Sequence, residues 1–290
     1  MTFTQLEIFA QVAELRGFTS AAQRLGISQS AVSHAIKGLE QEWQVELFRR
    51  HQARVELTDI GQQLLVRART LLGLANTLQQ EAADARGMKS GSLHIGSFGP
   101  TASVRLLPAI LEQYQARYPG IEIHIFEGPD RQVLQWLEER RIHIGFVVLP
   151  QERFDTLALF DDQLVALLPT GHALCTKPAL SVRELCTDPF VLTEAGSAEW
   201  VLRLFAAQRL VPNIRYRCSQ LLSTLATVER GAAISLVAEG ALPDVLGPGL
   251  QKIPLRPLFK RTVGLAVLDR REASPATQAF IKMAVNSRQN

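Results

Sequence analysis

The sequence predicts a protein that is α/β overall, with an all-α segment at the N-terminus, one long helix, and a larger α/β segment behind it. Three observations predict this order. Apolar residues recur at helical spacing through most of the first sixty residues. A proline-free stretch from residue 58 to residue 87 continues that spacing. From Ser92 onward, short apolar runs typical of strands alternate with helical patterns.

Composition restricts the class of protein. The chain has 290 residues, of which 47% are hydrophobic and 20% charged, so we expect two or three folded units. It contains no apolar run of about 18 residues and no basic, apolar leader, which predicts a cytoplasmic protein without a membrane partner. The three cysteines form no CxxC pair and predict neither a disulfide framework nor a metal site; they are Cys175, Cys186 and Cys218.

Three short helices are predicted first. The first ends at Gly17, and the second is capped by Thr19 or Ser20 and ends at Gly26. The third begins at the potential cap Ser28. Its predicted inward residues are Ala31, Val32, Ala35, Ile36 and Leu39, and its outward residues are Gln29, Ser30, Ser33, His34 and Lys37.

Two short helices joined by a glycine turn are typical of a helix-turn-helix, whose second helix enters the major groove of DNA. The outward residues of the third helix are therefore predicted to contact DNA, together with Thr19 and Ser20. Bulk charge gives no support, because residues 1–90 hold ten Lys/Arg against nine Asp/Glu. Taken singly, each polar residue also has a structural explanation as a cap.

A small hairpin is predicted after the third helix, because Val55 and Leu57 alternate with polar residues. Arg49, Arg50 and Arg54 lie near its tip. Such a wing beside a recognition helix would contact phosphates or the minor groove. The alternative for an arginine cluster is a solvated turn.

A long helix capped by Thr58 and ending at Gly87 follows the hairpin. Its apolar residues alternate between spacings of four and three, which is typical of a heptad seam. We predict that this seam pairs with a second copy of the chain, while packing on the chain's own C-terminal domain is the alternative. The seam residues are Leu64, Ala68, Leu71, Ala75, Leu78 and Ala82.

The rest of the chain predicts a parallel α/β sheet. Strands are predicted in LHIGS, IEIHIF, IHIGFVV, DDQLVALLP, PFVLT, IRYRC and AAISLVA, with helices between most of them. A ligand in such a fold lies beyond the carboxyl ends of the strands, where helix N-termini favour anions such as a carboxylate. The residues predicted there are Ser97, Gly99, Thr101, Ser103, Gly128, Val148, Thr193, Ala195, Gly196 and Ser197. The alternative is that these residues only cap helices.

Residues 18–61, FTSAAQRLGISQSAVSHAIKGLEQEWQVELFRRHQARVELTDIG, resemble the N-terminal signature of LysR-type transcriptional regulators, and the resemblance continues through the chain. Two positions depart from the family pattern: Trp43-Gln44 replaces Leu-Gly, and His34 stands where arginine is common.

The resemblance implies a winged helix-turn-helix over 1–58, a linker helix over 59–90 and an effector-binding domain over 91–290. That domain is expected to be two-lobed and periplasmic-binding-protein-like, with lobe I at 91–161 and 267–290 and lobe II at 162–266. Segments 164–168 and 263–268 are the candidate crossovers. The implied partners are operator DNA, a small-molecule effector, a homodimer or homotetramer, and RNA polymerase if the protein is an activator.

Other classes of function receive less support. The chain has no GxGxxG, P-loop, GxSxG or HExxH motif, and its six histidines have no ligand or triad spacing, so we expect no catalysis and no cofactor. A solute-binding protein without DNA activity is a second alternative. A third is a regulator that senses oxidation through Cys175, Cys186 and Cys218.

Overall fold

The computed structural model describes residues 1–51, 54–84, 90–194, 196 and 198–287, excepting the side chains of 50, 51, 54, 83 and 84. The helices are α1 (Phe3–Leu15), α2 (Phe18–Leu25), α3 (Gln29–Trp43), α4 (Asp59–Asp84), α5 (Leu107–Arg117), α6 (Asp130–Glu138), α7 (Ala198–Ala207), α8 (Leu221–Glu229) and α9 (Pro275–Ser287). The strands are β1 (Phe48–His51), β2 (Arg54–Leu57), β3 (Gly91–Ser97), β4 (Ile121–Glu127), β5 (Ile144–Leu149), β6 (Asp155–Pro169), β7 (Phe190–Thr193), β8 (Ile214–Cys218), β9 (Ser235–Ala238), β10 (Leu250–Pro254) and β11 (Lys260–Val267).

The first three helices form the N-terminal head. The Ser28 hydroxyl accepts the Ala31 backbone N–H at 3.1 Å, which caps α3 as predicted. The cap of α2 is Gly17, not Thr19 or Ser20, because the chain is already helical from Phe18. Gly17 makes no side-chain cap bond.

The end of α3 shows how the chain accommodates its departure from the family pattern. Gln44 adopts the left-handed conformation with φ 56°, and its backbone N–H bonds to the Glu40 carbonyl. A left-handed C-cap usually holds glycine, because a side chain there is strained. The helix therefore ends after Trp43 without the glycine.

The wing and the linker helix follow as predicted. Strands β1 and β2 pair antiparallel, and the Phe48 ring packs edge-on against Phe9 with the centroids 5.6 Å apart. The Thr58 hydroxyl accepts the Gly61 N–H at 2.9 Å and donates to the Glu46 carbonyl at 2.6 Å, so it caps α4 and ties it to the wing. The predicted end of α4, Gly87, lies outside the described residues.

The C-terminal domain is built on a mixed sheet with the order β10-β6-β11-β5-β3-β4, and β9 also pairs with β6. Strand β3 is parallel to β4 and β5, as predicted, whereas β6 and β11 run antiparallel to each other. The purely parallel prediction was therefore wrong, since crossover strands that leave a lobe and return to it run in opposite directions.

Two lobes are evident from their separate cores. The first half of β6 pairs with β11, and its second half pairs with β9 and β10, so β6 spans both lobes. Strand β11 pairs with β5 and buries Val263 and Leu265 in the first core. The sequence division placed nearly all of this strand in lobe II, and the structure corrects it. Strand β10 and helix α9 were not predicted.

Helix α4 packs against the first lobe of its own chain. A side chain at Gly73 would place its Cβ 2.5 Å from the Arg140 Cβ, so the two backbones touch there. Arg69 Nη1 donates to Glu139 Oε1 at 3.1 Å, and the Glu139 side chain is 1% exposed. The Ser92 N–H donates to Gln80 Oε1 at 2.7 Å. The head and sensor are thus joined along the linker as well as at its end.

Candidate DNA-binding surface and effector cleft

The outward face of α3 is a polar surface. Gln29, Ser30, His34 and Lys37 are exposed, and Ser33 is half-buried and accepts a hydrogen bond from Gln29 Nε2 at 3.1 Å. The opposite face buries Val32, Ile36 and Leu39 in the head core. Ala31, which the helical pattern placed inward, is exposed. It lies at the edge of the buried stripe formed by Val32, Ile36 and Leu39.

Flanking residues extend this polar surface only in part. Thr19 and Ser20 are exposed in the first turn of α2. Arg49 on the wing is 57% exposed, and its Nη2 lies 4.0 Å from Asp59, too far for a hydrogen bond. The side chains of Arg50 and Arg54 lie outside the described residues.

An apolar face of α4 is exposed to solvent. Leu71 is 40% exposed, Leu74 43% and Leu78 69%, and Ile60 continues the same face toward the start of the helix. At spacings of three and four these residues form one stripe, and Ala82, also exposed, extends it. The heptad prediction included Leu71, Leu78 and Ala82 but missed Leu74.

The other seam residues have other partners. Ala68 is 2% exposed in the head core, and Leu64 packs against the same core. Ala75 is half-buried. The prediction that Ala68 belongs to the seam was wrong, because the first turns of α4 complete the core of the winged domain. The continuous exposed apolar stripe therefore begins at Leu71, after the turns of α4 that pack in the head core.

Of the predicted effector residues, Gly99, Thr101 and Gly196 lie where the two lobes meet, and most of the described members of the set are buried. Thr101 and Thr193 are each 1% exposed, and Thr193 shares a 2.7 Å hydrogen bond with Thr224. Ser97 is fully buried and hydrogen-bonded to Ser103 at 2.6 Å. Both pairs satisfy their hydroxyls internally, as buried polar groups require.

Three other predicted positions contribute a backbone hydrogen bond, packing in the core, or part of the cleft wall. The Gly128 N–H donates to the Ser97 carbonyl at 3.0 Å, which joins the ends of β3 and β4. Val148 is 6% exposed within the first-lobe core, and Gly99 borders the cleft. Ala195 and Ser197 lie outside the described residues.

An ion pair that the sequence analysis missed occupies the cleft. Arg261 Nη2 lies 2.8 Å from Asp162 Oδ2, Nε lies 3.0 Å from the same oxygen, and each side chain is 1% exposed. Arg261 also donates to Thr101 Oγ1 at 3.0 Å and to the Gly196 carbonyl at 2.7 Å. One guanidinium therefore binds both lobes.

Asp162 is held from the other side by backbone. Its Oδ1 accepts the N–H groups of Gly240 and Gln163, each at 2.8 Å. The only local sign of this ion pair in the sequence is that each partner is a charged residue at the start of a mostly apolar run, Asp162 in DDQLVALLP and Arg261 in KRTVGLAV. Spacing could not reveal it, because the partners are far apart in sequence.

The cleft is closed around this ion pair. The cavity bordered by Phe98, Thr101 and Gly196 has a volume of about 10 Å³, room for about one water. Burial raises the pKa of the nearby Asp130 carboxyl to about 6, although the Arg261 guanidinium opposes the shift. Residues Thr101–Leu106 form a π-helical turn before α5, a geometry frequent at functional sites.

Comparison with known proteins decides the family. Residues 3–62 match the bacterial regulatory helix-turn-helix protein, lysR family, and residues 86–289 match the LysR substrate binding domain. The chain belongs to the LysR family. It is a DNA-binding transcriptional regulator with an effector-binding domain, which confirms the resemblance, the fold class and the general function predicted from the sequence.

Individual LysR relatives match over the whole chain. The HTH-type transcriptional regulator YvbU of Bacillus subtilis is 31% identical over 286 residues, covering 98% of each chain. The crystal structure of CbnR, a LysR family transcriptional regulator, matches with a TM-score of 0.70 at 23% identity, covering all of both chains. Full-length CbnR in complex with its target DNA matches with a TM-score of 0.66, covering 99% of this chain.

Two further observations concern the described ranges alone. No helix in them is long and apolar enough to span a membrane. No group of three or more His, Cys, Asp or Glu residues among them is arranged to hold a metal ion.

Proposed function

We propose that this LysR regulator reads operator DNA through the exposed face of α3, with Gln29, Ser30, Ser33, His34 and Lys37 in the major groove. The observation that carries the proposal is the division of α3 into a buried apolar face and an exposed polar face. The N-terminal residues of a recognition helix reach base edges first. Thr19, Ser20, Arg49, Arg50 and Arg54 are assigned to the phosphate backbone or the minor groove.

Two heads act together in this proposal. The exposed stripe Leu71, Leu74 and Leu78 is covered by α4 of a second copy, since an apolar helix face of this length is costly in water. A dimer then presents two recognition helices to a two-fold related site, and two dimers can form a tetramer. The site of action is the cytoplasm, where the DNA is, and contact with RNA polymerase belongs to an activator.

The effector acts between the lobes. Thr101, Gly99 and Gly196 lie at the cleft with Arg261 and Asp162, so a ligand that enters must separate the lobes or replace their shared hydrogen bonds. Because α4 is joined to the first lobe through Gly73 and Glu139, a change of lobe angle reaches the heads.

Sensing through thiols is the second candidate, and the described geometry does not favour it. Burial raises the pKa of the Cys186 thiol, against the opposing effect of Arg183, and its Sγ lies 3.6 Å from the Val182 carbonyl. A raised pKa lowers the fraction of reactive thiolate. A triple Cys-to-Ser variant that lost its response in cells would revive this candidate.

The DNA assignment is tested with genomic fragments selected by the purified full-length protein. The variant Arg49→Gln, which removes a cation assigned to the phosphate backbone, is expected to weaken binding to all fragments and to reduce the salt slope by about 1. His34→Ala is expected to cost about 1–3 kcal/mol on the selected site and to relax its base preference. Arg203→Gln, an exposed arginine of the sensor, is the control. Unchanged affinity of the first two variants would refute the placement.

A further inference from the structure

The head contacts the sensor at a point outside the linker helix. Arg141 Nη2 of the first lobe donates to Glu14 Oε1 at 3.3 Å, and Glu14 lies in the last turn of α1. Among the ion pairs between described residues, this pair, here called the head latch, is the one that joins the head directly to the sensor. The latch therefore fixes the angle of the head on the first lobe together with α4.

The first lobe holds Arg141 in the position that reaches Glu14. The guanidinium carbon lies 5.4 Å from the centre of the Trp136 ring and 5.5 Å from that of Phe126, where ring faces attract a cation. The Arg141 N–H donates to the Trp136 carbonyl at 2.9 Å, and the Arg141 carbonyl accepts a hydrogen bond from His94 Nδ1 at 3.3 Å. Because the arginine is already ordered, little conformational entropy is lost when the latch forms.

The head latch is nevertheless easy to break. Both of its side chains are partly exposed, and ion pairs in contact with water contribute little to stability. Its 3.3 Å hydrogen bond is longer than is usual between an arginine and a carboxylate. A movement of Arg141 by about 1 Å is enough to lose this bond.

Helix α6 connects Arg141 to the effector cleft. Asp130 is the first residue of α6, and Arg141 follows the C-terminal end of the helix. The Asp130 carboxyl lies close enough to Arg261 in the cleft, and to Glu199 of the second lobe, for both charges to act on its pKa. The nine residues of α6 span about 13 Å. One helix thus borders the cleft at its start and the head latch at its end.

Buried polar atoms without a hydrogen-bond partner collect at the two ends of α6. Among the described residues they are Asp130 Oδ1 at its start, Glu139 Oε2 at its end, and His143 Nε2 shortly after it. Buried polar atoms are nearly always paired, and an unpaired one costs free energy. These three atoms indicate that the observed position of α6 leaves both of its ends incompletely satisfied, which favours a second position.

The surface beneath α6 permits such a movement. A Cβ at Gly96 of β3 would lie 2.4 Å from Ile142 Cδ1, and a Cβ at Gly145 of β5 would lie 2.8 Å from Val133 Cγ1. The helix and the segment after it therefore rest directly on the backbone of the two strands. Because no side chain projects from the sheet at these two positions, a sliding movement meets little obstruction there.

We propose that α6 shifts along the sheet when an effector opens the cleft, and that this shift breaks the head latch. The proposal rests on the proposed function in taking the cleft as the effector site. A ligand that displaces Arg261 and the second lobe from Asp130 moves the start of α6, and Arg141 moves with its end. The released head then turns about the start of α4, which changes the separation of the two recognition helices in a dimer.

Hydrogen exchange of the full-length protein without DNA tests the latch. Arg141→Gln is expected to speed exchange of the amides of residues 12–16 by at least about threefold. Glu14→Gln should do the same, although loss of an acid near a helix C-terminus would by itself slow exchange. The double variant should exchange no faster than either single one. Arg153→Gln, which breaks an exposed pair with Glu138, is the control. Unchanged exchange in Arg141→Gln, or additive effects, would overturn the proposal.

Two variants that open the cleft by different means test the shift of α6. Asp162→Asn/Arg261→Gln removes both charges, so that neither is left buried alone. Gly196→Ala places a Cβ 3.0 Å from the Phe98 carbonyl oxygen, which pushes the lobes apart. Each is expected to speed exchange of residues 12–16 by at least about threefold, with no further increase when Arg141→Gln is added. Wild-type exchange of these residues in Gly196→Ala would overturn the coupling.

Operator fragments selected by the wild type test the consequence for DNA. One base pair inserted between the half-sites is expected to weaken binding of the wild type by at least about tenfold and of Arg141→Gln by about threefold or less, because released heads adjust to the new spacing. An equal penalty in the two proteins would overturn the role of the latch. The exchange experiments contain no DNA, so a failure of α3 to bind DNA would refute the proposed function and leave their outcome unaffected.

Discussion

The recognition face of the head and the effector cleft of the sensor present their polar side chains in opposite ways. On α3 the polar residues project into solvent, and the core beneath them is complete without them. In the cleft, Thr101, Asp162 and Arg261 are buried and satisfy one another. A surface that reads DNA can therefore change its residues at small cost to the fold, whereas residues of the cleft maintain the structure as well as any ligand contact.

The largest effect on stability is expected from a substitution that breaks the ion pair in the cleft. Asp162→Asn leaves the Arg261 guanidinium buried without its counter-charge, which is expected to cost about 3–5 kcal/mol in the free energy of unfolding. Urea unfolding followed by circular dichroism measures it. The matched control, Arg203→Gln, breaks the exposed pair with Glu199 and should cost less than about 0.5 kcal/mol. Equal stability of the Asp162→Asn variant and the wild type would remove the contrast between the two regions.

Next in size is a pH effect within the sensor. Burial lowers the pKa of His143 to about 4, with His94 adding to the shift, so the folded state holds this ring neutral. The resulting stability is present above pH 6.5 and is lost as pH falls toward 4, by about 2–3 kcal/mol. His143→Asn should abolish this loss in a series of urea titrations.

The matched control has the opposite sign. Because the pKa of Asp130 is raised to about 6, its contribution to stability falls as pH rises from 3.8 through 6. Asp130→Asn should therefore make the protein relatively more stable at neutral pH. If both variants showed the wild-type pH profile, the buried sites of the sensor would not differ electrostatically from the head.

A smaller effect concerns the helix cap of the head. Ser28→Ala removes the bond to the Ala31 N–H and should destabilise the head by about 1 kcal/mol. Thermal melting of the full-length protein measures the change. Ser28→Asp keeps an oxygen acceptor at the cap and should restore stability, whereas an equal loss in both variants would show that capping is not the cause.

The smallest effect completes the comparison. Ser30→Ala and His34→Ala change exposed side chains of α3 and are expected to alter stability by less than about 0.5 kcal/mol while weakening DNA binding. Melting temperature and DNA affinity are measured on the same samples. A large stability loss in either variant would mean that the recognition face also supports the fold.

Features that depend on residues close together in the sequence were predicted more accurately than features that depend on residues far apart in the sequence. The cap at Ser28 and the stop at Gly26 depend on neighbours within a few residues, and both were predicted correctly. The buried face of α3 was predicted correctly except at Ala31, which is exposed. Ala68 was misassigned because the same helix repeat serves two partners, the head core and the exposed stripe. The repeat alone does not indicate the residue at which contact with the head core ends and the exposed stripe begins.

The cleft was predicted only in outline, for the same reason. Thr101 was found because it follows a strand, but its partner Arg261 lies 160 residues away and Asp162 61 residues away. Arg261 stands in an apolar strand, where a charge signals burial with a partner but does not name that partner. The antiparallel course of β6 and β11 brings the residues together, and this course is a property of the whole topology.

The contact at Gly73 has a consequence for building hybrid regulators. Where two backbones pack directly against each other, a rotation of one element moves the other with it. Such close packing requires a lobe whose surface is complementary to α4 at Gly73. A hybrid that carries this DNA-reading head on another sensor should therefore exchange the part of α4 from Arg69 onward together with that sensor, and keep the first turns of α4 that belong to the head core. A junction after Asp84 would give a protein that binds its operator and ignores its signal.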